Sequence, residues 1–128
     1  MSQILIIDKV QKNLLQINGH SAWAAIYTLS TNLVKPLDLR TNSFCAGGGW
    51  LGNGTMVSVG GNDRTLNKQF FDARNGLAAV RFYTPGVDGA DAKIEEYPET
   101  IHLDEKRWYA STSRLRDGSI IILGGNKR

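Results

Sequence analysis

Cysteine, proline and long apolar runs are all scarce in this 128-residue chain. The single cysteine, Cys45, excludes an internal disulfide framework and a zinc site built from cysteines. Three prolines are too few for a disordered Pro/Gly tract. The aliphatic run Ile4–Ile7 is far too short for a membrane span or a signal peptide. Since the net charge of +3 is scattered along the chain, we expect neither a nucleic-acid nor a membrane partner.

Glycine, by contrast, is in excess, with 14 residues, and much of it falls in short clusters. When the pairs Gly60-Gly61 and Gly124-Gly125 are aligned, residues 44–62 lie over residues 108–126 without a gap, at an offset of 64. Six of the 19 aligned positions are identical, and most others exchange similar side chains. The chain therefore contains an internal repeat.

Each copy of the repeat has the pattern of a β-hairpin. A first strand leads into Asn53-Gly54 or Asp117-Gly118, dipeptides that favour positive φ in tight turns. A continuous apolar strand follows, and such runs suit a strand buried on both faces. A Gly-Gly pair then ends the strand. Antiparallel hairpins recurring with this pattern indicate blades of a kelch-type β-propeller. An accidental pair of hairpins in a β-sandwich is the alternative.

The rest of the chain also predicts strands, and we find no pattern typical of a helix. The predicted strands outside the repeat are Ile4–Ile7, Ala24–Leu29, Leu33–Leu37, Ala79–Tyr83 and Lys93–Tyr97. Pro36 makes its strand an edge strand, and residues 70–76 are ambiguous. We therefore predict an all-β fold in which residues 1–128 form an incomplete N-terminal part of a propeller domain, with about two to three blades.

The repeat places Cys45 and Tyr109 at equivalent positions, because each lies 15 residues before the first glycine of its Gly-Gly pair. If the two blades are consecutive, the thiol and the phenol face each other at the ends of adjacent inner strands. In the alternative interpretation, Cys45 is a small buried apolar residue and Tyr109 is an aromatic residue that only fills space. Trp108 is expected to point to the opposite face from Tyr109, and Arg107 is expected to form structural rather than catalytic contacts.

Three further patterns have simpler explanations than function. Residues 47–52 satisfy G-x-G-x-x-G, but they lead into a hairpin rather than a helix, so a dinucleotide site is rejected. Asn53-Gly54-Thr55 is a glycosylation sequon that also suits a tight turn. Asp104 and Glu105 adjoin basic residues and are expected to form a solvated face.

Several segments together resemble the glyoxal oxidases, the copper radical oxidases related to galactose oxidase. The most specific are Phe44-Cys45-Ala46-Gly47-Gly48 and Arg107-Trp108-Tyr109, and the match extends over nearly the whole chain. The resemblance implies a thioether between Cys45 and the ring of Tyr109, with Tyr109 as a copper ligand and stable radical. It also implies oxidation of simple aldehydes such as glyoxal or methylglyoxal to carboxylic acids, with O2 reduced to H2O2.

The departures from the family pattern concern the metal. The implied copper site also needs two histidines and a second tyrosine, whereas this chain holds His20 and His102 in other contexts. The family is secreted, yet no signal peptide precedes Ser2. We therefore interpret the chain as an N-terminal fragment or truncated gene model that by itself binds copper poorly, aggregates and is inactive. A non-enzymatic kelch-like binding module or an inactive relic is the alternative.

Overall fold

The structure, a computed structural model, describes residues 2–63, 73–87 and 90–127. These residues form β-strands and no α-helix, which confirms the all-β prediction. None of them belongs to a helix with the length and apolar character that a bilayer crossing requires. The strands are β1 Gln3–Ile7, β2 Gln16–Ile17, β3 His20–Ser21, β4 Ala24–Thr28, β5 Leu33–Leu37, β6 Gly47–Trp50, β7 Met56–Val59, β8 Val80–Thr84, β9 Lys93–Glu96, β10 Ser111–Arg114 and β11 Ile120–Leu123.

The strands pair into antiparallel sheets that follow chain order closely. One sheet has the order β1-β4-β5, a second has the order β6-β7-β8-β9, and β2-β3 and β10-β11 are two-stranded. The first repeat copy supplies β6 and β7, and the second supplies β10 and β11. The predicted strands agree with these elements to within a residue or two at each end. Pro36 lies in β5 at the edge of its sheet, as predicted.

The two repeat hairpins turn in the same way. The amide of Leu51 donates to the carbonyl of Thr55, and the amide of Leu115 donates to that of Ser119, both at 2.8 Å. Each loop has three residues and ends on a glycine of positive φ, 83° for Gly54 and 86° for Gly118. Only the glycine of each predicted dipeptide has positive φ, as in a three-residue loop that closes with a bulge.

The small β2-β3 hairpin was not predicted from the sequence. Asn18 and Gly19 have φ of 47° and 83° and connect the paired residues Ile17 and His20. Positive φ at both central residues is the geometry that Asn-Gly favours. The dipeptide was a sufficient signal, but the flanking strands have only two residues each, too few to show alternation.

The core lies between the first sheet and the four-stranded sheet. Trp23, Ile26 and Leu37 pack there with Tyr83 and Ile94, and each large side chain so buried contributes about 1.5–3 kcal/mol. The prediction that both repeat strands are buried on both faces holds for β7 and is wrong for β11. There Ile120 approaches Gly49 of β6, whereas Ile121 and Leu123 on the opposite face are 38% and 56% exposed.

The ambiguous segment 70–76 is only partly covered, because residues 70–72 lie outside the described residues. Arg74 forms an isolated parallel bridge with Thr41. The amide of Gly76 donates to the carbonyl of Asn62 at 2.8 Å. The described part of this segment therefore binds both the connection between β5 and β6 and the chain just after β7.

Candidate active site

Cys45 and Tyr109 occupy equivalent positions just before the first strand of each repeat hairpin. Cys45 lies in a turn, closed by the hydrogen bond from the amide of Ala46 to the carbonyl of Ser43 at 3.0 Å, that leads into β6. Tyr109 lies two residues before β10. Both have a φ of 61°, in the left-handed region, which costs a residue with a Cβ about 1–2 kcal/mol. The same unfavourable conformation at the same place in each copy indicates a shared structural requirement.

The structure brings the main chains of these two residues together. The amide of Tyr109 donates a hydrogen bond to the carbonyl oxygen of Cys45 at 3.1 Å. Farther along the two hairpins, the Thr112 hydroxyl donates to the carbonyl of Gly48 at 2.5 Å. At their turns, the amide of Gly52 donates to the carbonyl of Gly118 at 2.8 Å. The hairpins therefore lie side by side, with Cys45 and Tyr109 at the same end.

Close approach of the hairpins explains why the first copy is richer in glycine. A Cβ on Gly47 would lie 2.5 Å from the carbonyl oxygen of Ala110, and one on Gly52 would lie 3.1 Å from the Cα of Gly118. Residues 111–113 of the second copy, Ser-Thr-Ser, stand where the first copy has Gly47-Gly48-Gly49. Where the two hairpins meet, one of the facing strands needs glycine, and in this chain Gly47 and Gly49 of β6 supply it.

The predicted orientation of Trp108 is wrong. Its ring and that of Tyr109 have centroids 4.4 Å apart and planes inclined by 55°, so the two side chains are in contact. Alternation of side chains between faces holds within a regular strand. These two residues precede β10, and the left-handed φ of Tyr109 redirects its side chain. The side chain of Tyr109 is 60% exposed.

Arg81, which lies in β8 and is 0% exposed, was not among the residues predicted to matter. Its guanidinium donates to the hydroxyl of Thr41 at 2.7 Å and to the carbonyl of Gly60 at 2.7 Å. Burial lowers the pKa of Arg81 to about 10, against the opposing effect of the Glu96 carboxylate, so the guanidinium is charged at neutral pH. The available signal was a lone charged residue within the apolar run Ala79–Tyr83.

Comparison with known proteins decides the family. The family described as "Glyoxal oxidase N-terminus" matches residues 7–128. The chain belongs to the glyoxal oxidase N-terminal family. It is 31% identical over 104 residues to "Aldehyde oxidase GLOX" of Vitis pseudoreticulata, a match covering 81% of this chain and 18% of the relative. It is 30% identical over 115 residues to "Aldehyde oxidase GLOX1" of Arabidopsis thaliana, covering 90% of this chain and 16% of the relative. The chain thus spans less than a fifth of the length of these curated relatives.

The donor set of this glyoxal oxidase domain fits copper only in part. Tyr109 is 60% exposed and offers a phenol oxygen, a suitable Cu(II) ligand when deprotonated. Among residues 2–63, 73–87 and 90–127, no three His, Cys, Asp or Glu side chains are grouped to hold a metal. His20 is engaged with Asp38 at 2.9 Å, and His102 is exposed on the chain beyond β9. A complete copper site therefore needs ligands other than these.

The remaining sequence motifs have structural roles. Residues 47–52 form β6 and enter the hairpin loop, which confirms the predicted strand and turn where a dinucleotide motif would open a helix. The side-chain oxygen of Asn53 accepts a hydrogen bond from the amide of Thr55 at 3.0 Å, which confirms its predicted turn role. Arg107 donates to the carbonyl of Gly124, a structural contact as expected. Glu105 forms an exposed ion pair with Lys127 at 2.7 Å, on a solvated face.

Proposed function

We propose that this chain is the N-terminal part of a copper radical oxidase that oxidises simple aldehydes to carboxylic acids and reduces O2 to H2O2. The observation that carries the proposal is the pairing of Cys45 with Tyr109. They hold equivalent repeat positions, share a φ of 61° and are joined by a main-chain hydrogen bond. Curated relatives named aldehyde oxidases support the substrate class.

In this proposal Cys45 and Tyr109 form one modified side chain, with a thioether between the sulfur and the phenol ring. Sulfur beside the phenol oxygen lowers the potential at which the ring is oxidised and so stabilises a radical on Tyr109. Tyr109, as a phenolate, would be a ligand of the copper, which would supply the second of two one-electron acceptors. An aldehyde hydrate that becomes a carboxylic acid releases two electrons and two protons, and O2 takes up both pairs to become H2O2.

The sheets suggest how the propeller fold serves this site. We propose that the sheets β1-β4-β5, β6-β7-β8-β9 and β10-β11 are consecutive blades around a common axis. The innermost strands β6 and β10 would then start near the axis, where Cys45 and Tyr109 lie. The same proposal includes secretion of the protein, an aldehyde and O2 as its partners, and weak copper binding by the chain alone.

Peroxide release tests the activity directly. The protein is expressed from its complete gene, loaded with copper, oxidised and supplied with methylglyoxal and air. We expect H2O2 at the rate of acid formation, and loss of both products in Tyr109→Phe and in Cys45→Ser. Trp50→Phe, which alters an exposed aromatic residue at the far end of β6, serves as the control with wild-type turnover. No peroxide from the loaded wild-type protein would instead favour a binding module without chemistry.

A further inference from the structure

The buried side chain of Arg81 connects the segment that carries Cys45 with the end of β7, which in turn contacts the segment that carries Tyr109. One guanidinium nitrogen, Nη2, donates to the carbonyl of Asn42 at 3.2 Å, three residues before Cys45. The other, Nη1, donates to the carbonyl of Gly60 at 2.7 Å. Arg81 therefore fixes the distance between the connection that precedes β6 and the end of β7.

A short path of hydrogen bonds leads from Gly60 to Tyr109 and back. The next residue, Gly61, donates its amide to the carbonyl of Arg107 at 3.1 Å, and Arg107 lies two residues before Tyr109. The Tyr109 amide donates to the carbonyl of Cys45. From Cys45 the chain runs back to Asn42, so the contacts form a closed ring with Arg81 as its side-chain member.

The Asn42 end of this ring is held from several sides. Its amide donates to the carbonyl of Arg74 at 3.0 Å, and its carbonyl also accepts from the amide of Asn62 at 3.1 Å. Its side-chain amide donates to the carbonyl of Asp63 at 2.8 Å. With so many partners, Asn42 can transmit the position that Arg81 sets to the turn that holds Cys45.

The surroundings are shaped for a guanidinium. A Cβ on Gly76 would lie 2.9 Å from Nη2 of Arg81, and one on Gly61 would lie 3.2 Å from the same atom. Nε is 2.7 Å from the hydroxyl of Thr41 and 3.5 Å from the carboxylate of Glu96. A planar fork of five donors can serve all these acceptors at once, which the single ammonium of lysine cannot do.

We propose that Arg81 is a positioning residue for the cross-link between Cys45 and Tyr109, which it holds in register through Asn42 and Gly60. This inference rests on the proposed function. The bond forms between the Cys45 sulfur and a ring carbon of Tyr109, with loss of the thiol hydrogen and one ring hydrogen. The two electrons and two protons pass to O2, giving H2O2. Since reacting groups must be held closely, a misplacement of about 1 Å slows such a step by up to about 100-fold.

The test follows cross-linking rather than turnover. Protein expressed from its complete gene without copper is mixed with Cu(II) and air. The cross-link appears as a mass lower by two hydrogen atoms and as loss of the maleimide-reactive thiol of Cys45. We expect Arg81→Met to slow cross-linking by about 10- to 100-fold, and Arg81→Lys by less.

Two matched hydroxyl variants keep the test valid if Arg81→Met folds poorly. Thr41→Val removes an Arg81 partner next to Asn42, and Ser58→Ala removes one that lies outside the ring, at 3.3 Å. We expect slower cross-linking in Thr41→Val and a wild-type rate in Ser58→Ala. Ile26→Ala, in the core of the first sheet, controls for lost stability and should cross-link normally while folded.

The outcomes separate the two proposals. Wild-type rates in Arg81→Met and Thr41→Val would overturn the role of Arg81, as would equal slowing by Ile26→Ala. If the wild-type protein forms no cross-link with copper and O2, the proposed function fails and this inference fails with it. If only the Arg81 and Thr41 variants form the cross-link slowly, the proposed function and the role of Arg81 are both supported.

Discussion

Replacement of Gly47 by alanine tests how closely the two repeat hairpins must approach beside the candidate active site. Gly47 and Gly49 lie on β6 two residues apart, so both face β10. A Cβ on Gly47 would lie 2.5 Å from the carbonyl oxygen of Ala110, whereas one on Gly49 would lie 3.4 Å from the flexible end of Ile120. The two substitutions are therefore a matched pair that differ in the space available.

The expected magnitude follows from these distances. Ordinary contacts begin at 3.4 Å, so Gly47→Ala requires the strands to separate by about 0.9 Å, and overpacking of this kind costs about 1–3 kcal/mol. Gly49→Ala needs no such shift. Both variants gain about 0.4–1 kcal/mol because alanine restricts the unfolded chain. Gly47→Ala should thus be about 1–3 kcal/mol less stable than Gly49→Ala.

Denaturant unfolding of the two variants and the wild-type protein measures this difference. Hydrogen exchange at the amide of Tyr109 gives a local readout, because that amide donates to Cys45 and should exchange faster in Gly47→Ala alone. Equal stability of the two variants, or unchanged exchange at Tyr109 in Gly47→Ala, would show that β6 and β10 do not pack as described.

Three further predictions concern other parts of the chain. Burial by itself raises the pKa of Asp38, but hydrogen bonds from His20 and Asn18 and the charge of Arg40 together lower it below its ordinary value of 3.8. The stabilisation of the folded state by the Asp38 carboxylate is therefore present above about pH 4 and lost as pH falls through its lower folded-state pKa. When unfolding is measured from pH 6 to 2, the free energies of unfolding of wild type and Asp38→Asn should converge at the acid end. Gly118→Ala should destabilise more than Gly54→Ala, since both glycines have positive φ but only Gly118 faces a close neighbour, Gly52; similar unfolding midpoints would contradict this. Ile26→Ala should cost about 2–5 kcal/mol and Ile26→Val about 0.5–1.5 kcal/mol, and thermal unfolding that ranks them otherwise would place Ile26 outside the core.

Local sequence patterns were sufficient for most strands and for the hairpin turns. Pro36 predicted an edge, and β5 is an edge strand. The loops ending at Gly54 and Gly118 have the expected positive φ, because a turn depends on a few adjacent residues. The burial of β11 could not be predicted in the same way, because burial depends on which sheet lies against each face.

The candidate site shows the same division. The repeat alone paired Cys45 with Tyr109, and the structure places their main chains in contact. The predicted orientation of the Trp108 side chain was wrong, because side chains alternate between faces only in a regular strand and the backbone of Tyr109 is left-handed. Arg81 escaped notice because its partners are distant in sequence, such as Thr41 and Gly60, and no local pattern encodes such contacts.

The sequence by itself determined the all-β class, the repeat with its offset of 64 residues and the equivalence of Cys45 and Tyr109, since these depend on composition and spacing. Only the tertiary structure decided that β6 and β10 are neighbours, that Trp108 lies against Tyr109 and that Arg81 is buried against Asn42 and Gly60. These features arise from packing between residues far apart in the chain. Their energies depend on distances that no sequence spacing specifies.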